Sequence, residues 1–381
     1  MAVAILLLLL STFNFSDSKS VLDYIIRHYN HLDLKLVHVF FRHGFRTPAD
    51  TYPNDIYVNE TFEPYGWGQL TNRGKQQMYV LGQFLRSRYK NFLNKTLDLN
   101  EIYAQSTGVS RTKMSLQLVL ASLYPPKNTE LEWNTKLNWQ PIPYNYEELN
   151  QDSLLLVRKP CPKYQEELNR VMQNDISDEL KRNTNLFNEL TNITGLKIKT
   201  PDDVQSLYST LKAEKEFGLV LPKWTLDYFP KRLQEMTDKS YVYNAYNSEL
   251  KRLKGGVFVK KALGDWKSKI DNKISQKIFV YAGHDSTVTN ILSAFNVWKP
   301  QFPDYGITGI LELSQNKKTK QYGIEIFLKN SNKFELTPLT IPGCSNFCEL
   351  SRVEELLKEN IPNDWNAECQ SNFTVPLQGG P

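Results

Sequence analysis

A chain of 381 residues corresponds to roughly two to three average domains, or to one large α/β unit with an insertion. Hydrophobic residues make up 40% and charged residues 23%, with 19 Pro and 18 Gly, a balance that excludes disorder, collagen, coiled coil and disulfide miniproteins. The net charge of +5, from 46 Lys and Arg against 41 Asp and Glu, is spread without the basic block that tracks nucleic acid, so no nucleic-acid partner is expected.

Met1 to Leu10 is an apolar run followed by the small and polar stretch STFNFSDSKS. The run is too short to span a bilayer and predicts a cleaved secretory signal over residues 1–18, although its start lacks the usual Lys or Arg. No second apolar run of about 20 residues follows. The expectation is therefore a soluble, secreted protein without a membrane partner.

Leu34 to Phe41 (LKLVHVFF) predicts a buried strand that stops at Arg42-His43-Gly44. Thr71 then caps a helix whose apolar face carries Met78, Leu81, Phe84 and Leu85, with Arg86, Arg88 and Lys90 near its end. Ile102 to Ala104 predicts a short strand and Arg111 to Leu123 a helix. Residues 146–239 are charged, with scattered apolar positions and few strand signals, which predicts a mostly helical insertion. Lys277 to Ala282 (KIFVYA) is the next buried strand, ending at Gly283-His284-Asp285, and Ser286 to Phe295 follows as a helix. Gly309 to Leu313 and Gly323 to Leu328 complete the strands. The prediction is a three-layer α/β fold, a mixed sheet with helices on both faces: core residues 33–145 and 240–381, and a helical cap over 146–239.

Four cysteines allow three pairings. Cys344 and Cys348 are spaced to close a small loop, which leaves Cys161 to Cys369 as a long-range link; buried free thiols are the alternative. Asn59, Asn94, Asn192 and Asn372 head N-x-T sequons and are candidate glycan sites on surface loops.

Two of the best strands end in a histidine, at the strand ends where open α/β sheets bind ligands. The other three, His28, His31 and His38, lack that placement, and His38 inside its strand reads as a satisfied core residue. Around His43 runs R-H-G-x-R-x-P, with chance odds on the order of 10⁻⁴. Two arginines flanking a histidine offer planar forks that bind phosphate oxygens bidentately. Gly44 lets the backbone approach a ligand, and Pro48 stiffens the exit.

This motif resembles that of the histidine acid phosphatases of the prostatic, lysosomal and venom group. Leu70-Thr71-Asn72-Arg73-Gly74, the segment Gln105 to Thr112, Trp139 to Pro143 and Gly283-His284-Asp285 extend the resemblance across about residues 34–313, and the whole is most similar to secreted venom-type enzymes. The resemblance implies a metal-independent, cofactor-free phosphomonoesterase acting on small phosphate esters, with a homodimer plausible. It implies His43 as nucleophile, Arg42, Arg46, Arg111 and His284 as phosphate ligands, and Asp285 as proton donor, a role compatible with capping a helix. An acidic optimum would follow from a protonated Asp285 and a neutral His43.

The family pattern is commonly Asp where Phe45 stands, and has acids where Gly108 and Ser110 stand. Their loss predicts a more positive site, and Phe45 is expected at the rim as an apolar contact favouring aryl phosphates. A cysteine phosphatase is excluded because no C-x5-R occurs, and no Walker motif or clustered metal-ligand set is present. Two other readings remain: an inositol-phosphate phosphatase, which a net charge of only +5 disfavours, and a non-catalytic binder of phosphorylated ligands, which would not need Asp285.

Overall fold

The computed structural model describes residues 31–331 and 335–372. The expected signal peptide and His28 lie outside them. The chain forms one mixed sheet in the order β3-β2-β4-β1-β5-β6-β7, with β8 paired to β6. Its strands are β1 (Leu32–Arg42), β2 (Ile102–Ser106), β3 (Asn145–Tyr146), β4 (Ile278–Gly283), β5 (Thr308–Asn316), β6 (Tyr322–Lys329), β7 (Thr337–Leu339) and β8 (Cys348–Glu349). The four strands β3, β2, β4 and β1 are parallel; from β1 onward the sheet runs antiparallel through β5, β6 and β7.

The apolar run Leu36–Phe41 of β1, broken only by His38, follows from burial on both faces. Its Val37, Val39 and Phe41 pack under α1 (Asn72–Arg88) and α2 (Ser110–Leu123), against Met78, Leu81, Leu116 and Leu120. Leu36 and Phe40 point the other way, into a core closed by Phe258 and Trp266 of a helix over Gly256–Ile270 and by Val288 and Ile291 of a helix over Asp285–Ala294. That is the expected three-layer arrangement. The Gly256–Ile270 helix was not foreseen. It also satisfies His38, whose Nε2 lies 3.0 Å from Asp265 while its Nδ1 accepts from the Trp266 indole.

Between β3 and β4 the chain is helical: α3 (Pro162–Arg170), α4 (Ser177–Arg182), α5 (Thr184–Thr194), α6 (Pro201–Phe217), α7 (Lys231–Tyr243), α8 (Ser248–Leu253) and the Gly256–Ile270 helix, α9. After β4 comes α10, the Asp285–Ala294 helix. Thr200 opens α6 with a capping box to Asp203, and Pro201 occupies the first turn. α5, α6 and α7 share a small core of their own around Leu190, Leu207, Leu211 and Leu233.

Both anticipated disulfides are formed, Cys161–Cys369 and Cys344–Cys348. All four sequon asparagines are exposed. Asn192 stands on the last turn of α5 rather than in a loop, because the helix runs on to its left-handed cap at Gly195, whose N–H donates to the Thr191 carbonyl.

Candidate active site

Parallel pairing aligns the carboxyl ends of β2, β4 and β1, with Ser106 and Phe41 both opposite Ala282. Two hydrogen bonds continue the register past the strands: His43 N–H to the Gly283 carbonyl at 2.9 Å, and Thr107 N–H to the Ala282 carbonyl at 3.1 Å. Three segments far apart in sequence therefore emerge side by side. They carry Arg42 at the end of β1 with His43 and Arg46 after it, Thr107 and Arg111 after β2, and His284 and Asp285 after β4.

The His43 loop is fixed by its neighbours. Gly44 N–H donates to Ser115, Phe45 N–H to Gln77, and the Phe45 carbonyl accepts from Thr71 N–H. Thr71 caps α1 as expected, its hydroxyl accepting from Gly74 N–H at 3.2 Å. The L-T-x-x-G segment thereby gains a reason. A Cβ on Gly44 would come 2.4 Å from the Gly74 carbonyl oxygen, and one on Gly74 would come 2.0 Å from that of Phe45. Two backbones meet where no side chain fits.

His43 is 2% exposed. Its Nδ1 lies 2.8 Å from the Gly44 carbonyl, while Nε2 accepts from Arg111 Nε at 3.2 Å. These two bonds assign the tautomer: Nδ1 carries the proton and Nε2 keeps its lone pair. Burial first, then Arg111, Arg42, His284 and Arg46, hold the imidazole well below its ordinary pKa.

Arg42 is 1% exposed. It donates to the Pro303 carbonyl at 2.6 Å and pairs with Asp285 at 3.0 Å, its guanidinium lying 4.4 Å from the Tyr305 ring centre. Arg46 reaches the Thr47 carbonyl. The Nε atoms of Arg42 and Arg46 are buried donors with no acceptor among the described residues. Arg111 is drawn down to about 10 by burial and by Arg46 and Arg42. Three buried guanidiniums crowded until one loses affinity for its proton make a site that favours an anion.

His284 Nε2 lies 3.0 Å from the Thr107 hydroxyl, and burial, Arg111 and Arg42 keep this imidazole neutral as well, with Arg158 adding to the effect. Asp285 opens α10 and accepts from Ser286 N–H. Burial raises its pKa, but Arg42, His284 and that N–H outweigh burial, so the carboxyl sits below its ordinary value. Tyr241 of α7 shares a pocket wall with it.

All six residues singled out in the sequence line one pocket of about 280 Å³. Arg158 and Gln205, which also line it, come from the helical middle, where no motif marks them. Thr107, inside a motif, and the Pro303 carbonyl hold His284 and Arg42 without lining the pocket, and neither carries a role in the sequence reading. Phe45 corrects an expectation: it is 3% exposed, edge-on to Tyr305 and beneath Arg73, and does not line the pocket. Ser110 is exposed at the start of α2, and a Cβ on Gly108 would stand 2.9 Å from the Glu147 carbonyl oxygen. Among the described residues no group of three or more His, Cys, Asp or Glu is arranged to hold a metal ion, and no helix is long and apolar enough to cross a membrane.

Known proteins share this framework. The chain is 38% identical over 352 residues to a venom acid phosphatase of Apis mellifera, covering 90% of this chain and 89% of that protein. It is 35% identical over 353 residues to the prostatic acid phosphatase of Rattus norvegicus, with 91% and 92% covered. Among solved structures, a Klebsiella phytase superposes with a TM-score of 0.65 at 14% identity, over 91% of this chain and all of the other, a likeness of fold alone. Residues 33–329 match the family described as histidine phosphatase superfamily, branch 2, and to that family the chain belongs.

Proposed function

We propose that the protein is a secreted, metal-independent acid phosphatase that cleaves phosphate monoesters through a phosphohistidine on His43. The observation that carries this reading is the imidazole itself: Nδ1 tied to the Gly44 carbonyl, Nε2 unprotonated among three arginines. The Nε2 lone pair attacks phosphorus while the bond to the ester oxygen breaks, and Asp285 gives its proton to the departing alcohol. Arg42, Arg46, Arg111 and His284 hold the non-bridging oxygens as charge redistributes. The Asp285 carboxylate then takes a proton from water, whose oxygen attacks phosphorus and breaks the P–N bond. Orthophosphate leaves and His43 is again neutral.

An acidic optimum rests on Asp285. In the free protein Arg42 keeps it ionised. A bound phosphate ester competes for Arg42 and brings its own negative charge, which raises the carboxyl and lets mild acid protonate it. His43 stays neutral at the same pH because its own pKa is depressed.

Residues 146–239 act as the cap over the core segments 33–145 and 240–381; Leu156, Arg158, Gln205 and Thr210 from this stretch at the pocket wall support that division. Secretion, with glycans on Asn59, Asn94, Asn192 and Asn372, is supported by the exposure of all four asparagines and by both disulfides. The test is hydrolysis of p-nitrophenyl phosphate between pH 4 and 8 in EDTA. The wild type is expected to peak in acid and His43→Ala to lose turnover. A folded wild type with no turnover would leave a binder of phosphorylated ligands.

A further inference from the structure

Behind Asp285 lies a second chamber of about 290 Å³. It shares Asp285, Ser286, Arg158, Gln205 and Leu156 with the phosphate pocket, so the two are lobes of one space divided by the carboxyl group. A group bonded to phosphate through the oxygen that Asp285 protonates would extend into this second lobe.

The lobe is polar, and its polarity is unevenly spent. The Asp202 carboxylate at one wall is already taken by Ser240 and Asn244. Lys254 is not matched in this way. Among the described residues its ammonium has one hydrogen bond, to the Val157 carbonyl at 3.3 Å, and otherwise faces the Tyr164 ring at 4.2 Å. Burial, then Arg158, draw this lysine down to about 8 against the pull of the Asp202 carboxylate, so it is fully charged in acid. The Gln165 Oε1 is a buried atom with no donor among the described residues. Val157, which presents its carbonyl to Lys254, sits at φ 55°, a left-handed conformation costly for a β-branched residue. The Asp152 carboxylate holds the turn by accepting from the N–H groups of Leu154, Leu155 and Leu156.

We propose that this lobe receives the alcohol half of the substrate and selects polar alcohols bearing a second anionic group, which Lys254 and Arg158 hold. The inference rests on the phosphatase reading and narrows its substrate class. It also reverses the expectation of an aryl preference attached to Phe45.

The matched pair of 3-phosphoglycerate and glycerol 3-phosphate tests it, since the two differ by a carboxylate at similar size. At pH 5, kcat/KM is expected to favour 3-phosphoglycerate by about tenfold, the worth of one charge-assisted hydrogen bond. Lys254→Gln should bring the ratio near one. If that variant does not fold, Arg158→Gln on the same chamber wall should reduce the ratio instead. A wild-type ratio of one, or a folded Lys254→Gln that keeps the preference, overturns the assignment. In either case p-nitrophenyl phosphate turnover would leave the phosphatase reading intact; failure with every ester would sink that reading itself.

Discussion

Phe45 separates what a motif position says from what its side chain does. Its ring is buried between Tyr305 and Arg73, and Tyr305 in turn lies under the Arg42 guanidinium. Phe45→Ala is therefore expected to cost about 3 kcal/mol of stability, while the ratio of aryl to sugar phosphate turnover stays within about twofold; a scan of thermal unfolding with paired kinetics checks both. The two site histidines make a second prediction. Both are held neutral in the fold, whereas an unfolded histidine takes up a proton near pH 6.5. Their contribution to stability is complete above that pH and is lost as pH falls below it, with Asp285 acting in the same direction lower down. The melting temperature should drop between pH 7 and pH 5, and added orthophosphate, bound by the native state alone, should recover part of the loss. Calorimetry with and without phosphate reads this directly.

At the level of elements, the strands and capped helices flanking the site were legible because each has a strong local cause. β4 and the Leu36–Phe41 run of β1, apolar but for His38, are buried on both faces, and Thr71 announces α1. The parallel alignment that brings Thr107, His43 and His284 together has no local signature; it was readable only through two strands that both end in histidine. Arg158 lies in the helical middle and Lys254 just after α8, where charged residues are common and nothing in their spacing distinguishes a pocket wall from solvent. The glycines were readable as a motif but not as a contact. Gly74→Ala, favourable by helix propensity in isolation, should instead destabilise by about 1–3 kcal/mol, because the methyl group meets the Phe45 carbonyl. It should also lower kcat by shifting the loop that carries His43. Unfolding and turnover of this one variant test the pair of effects.

For the whole molecule, the Cys161–Cys369 link ties the start of α3 to a short helix near the end of the described chain, across a sequence separation of 208. Closing so long a loop restricts the unfolded chain by roughly 5.4 kcal/mol in the chain-entropy model, and the four-residue Cys344–Cys348 separation should contribute less. Replacing the first pair by serine is expected to lower the melting temperature more than replacing the second, as thermal scans of the two double variants would show. The same link makes residues 161–369 a closed ring that holds His284, Asp285 and Lys254, while Arg42, His43, Arg46, Arg111 and Arg158 stand on the arm before it. A protease that cuts once inside the ring, for instance at exposed Val220 or Leu226, leaves a single covalent molecule with every site residue aboard. One cut in the arm can release the nucleophile. Nicked protein should thus run as one band until reductant is added, and damage in the ring should be survivable where damage in the arm is not.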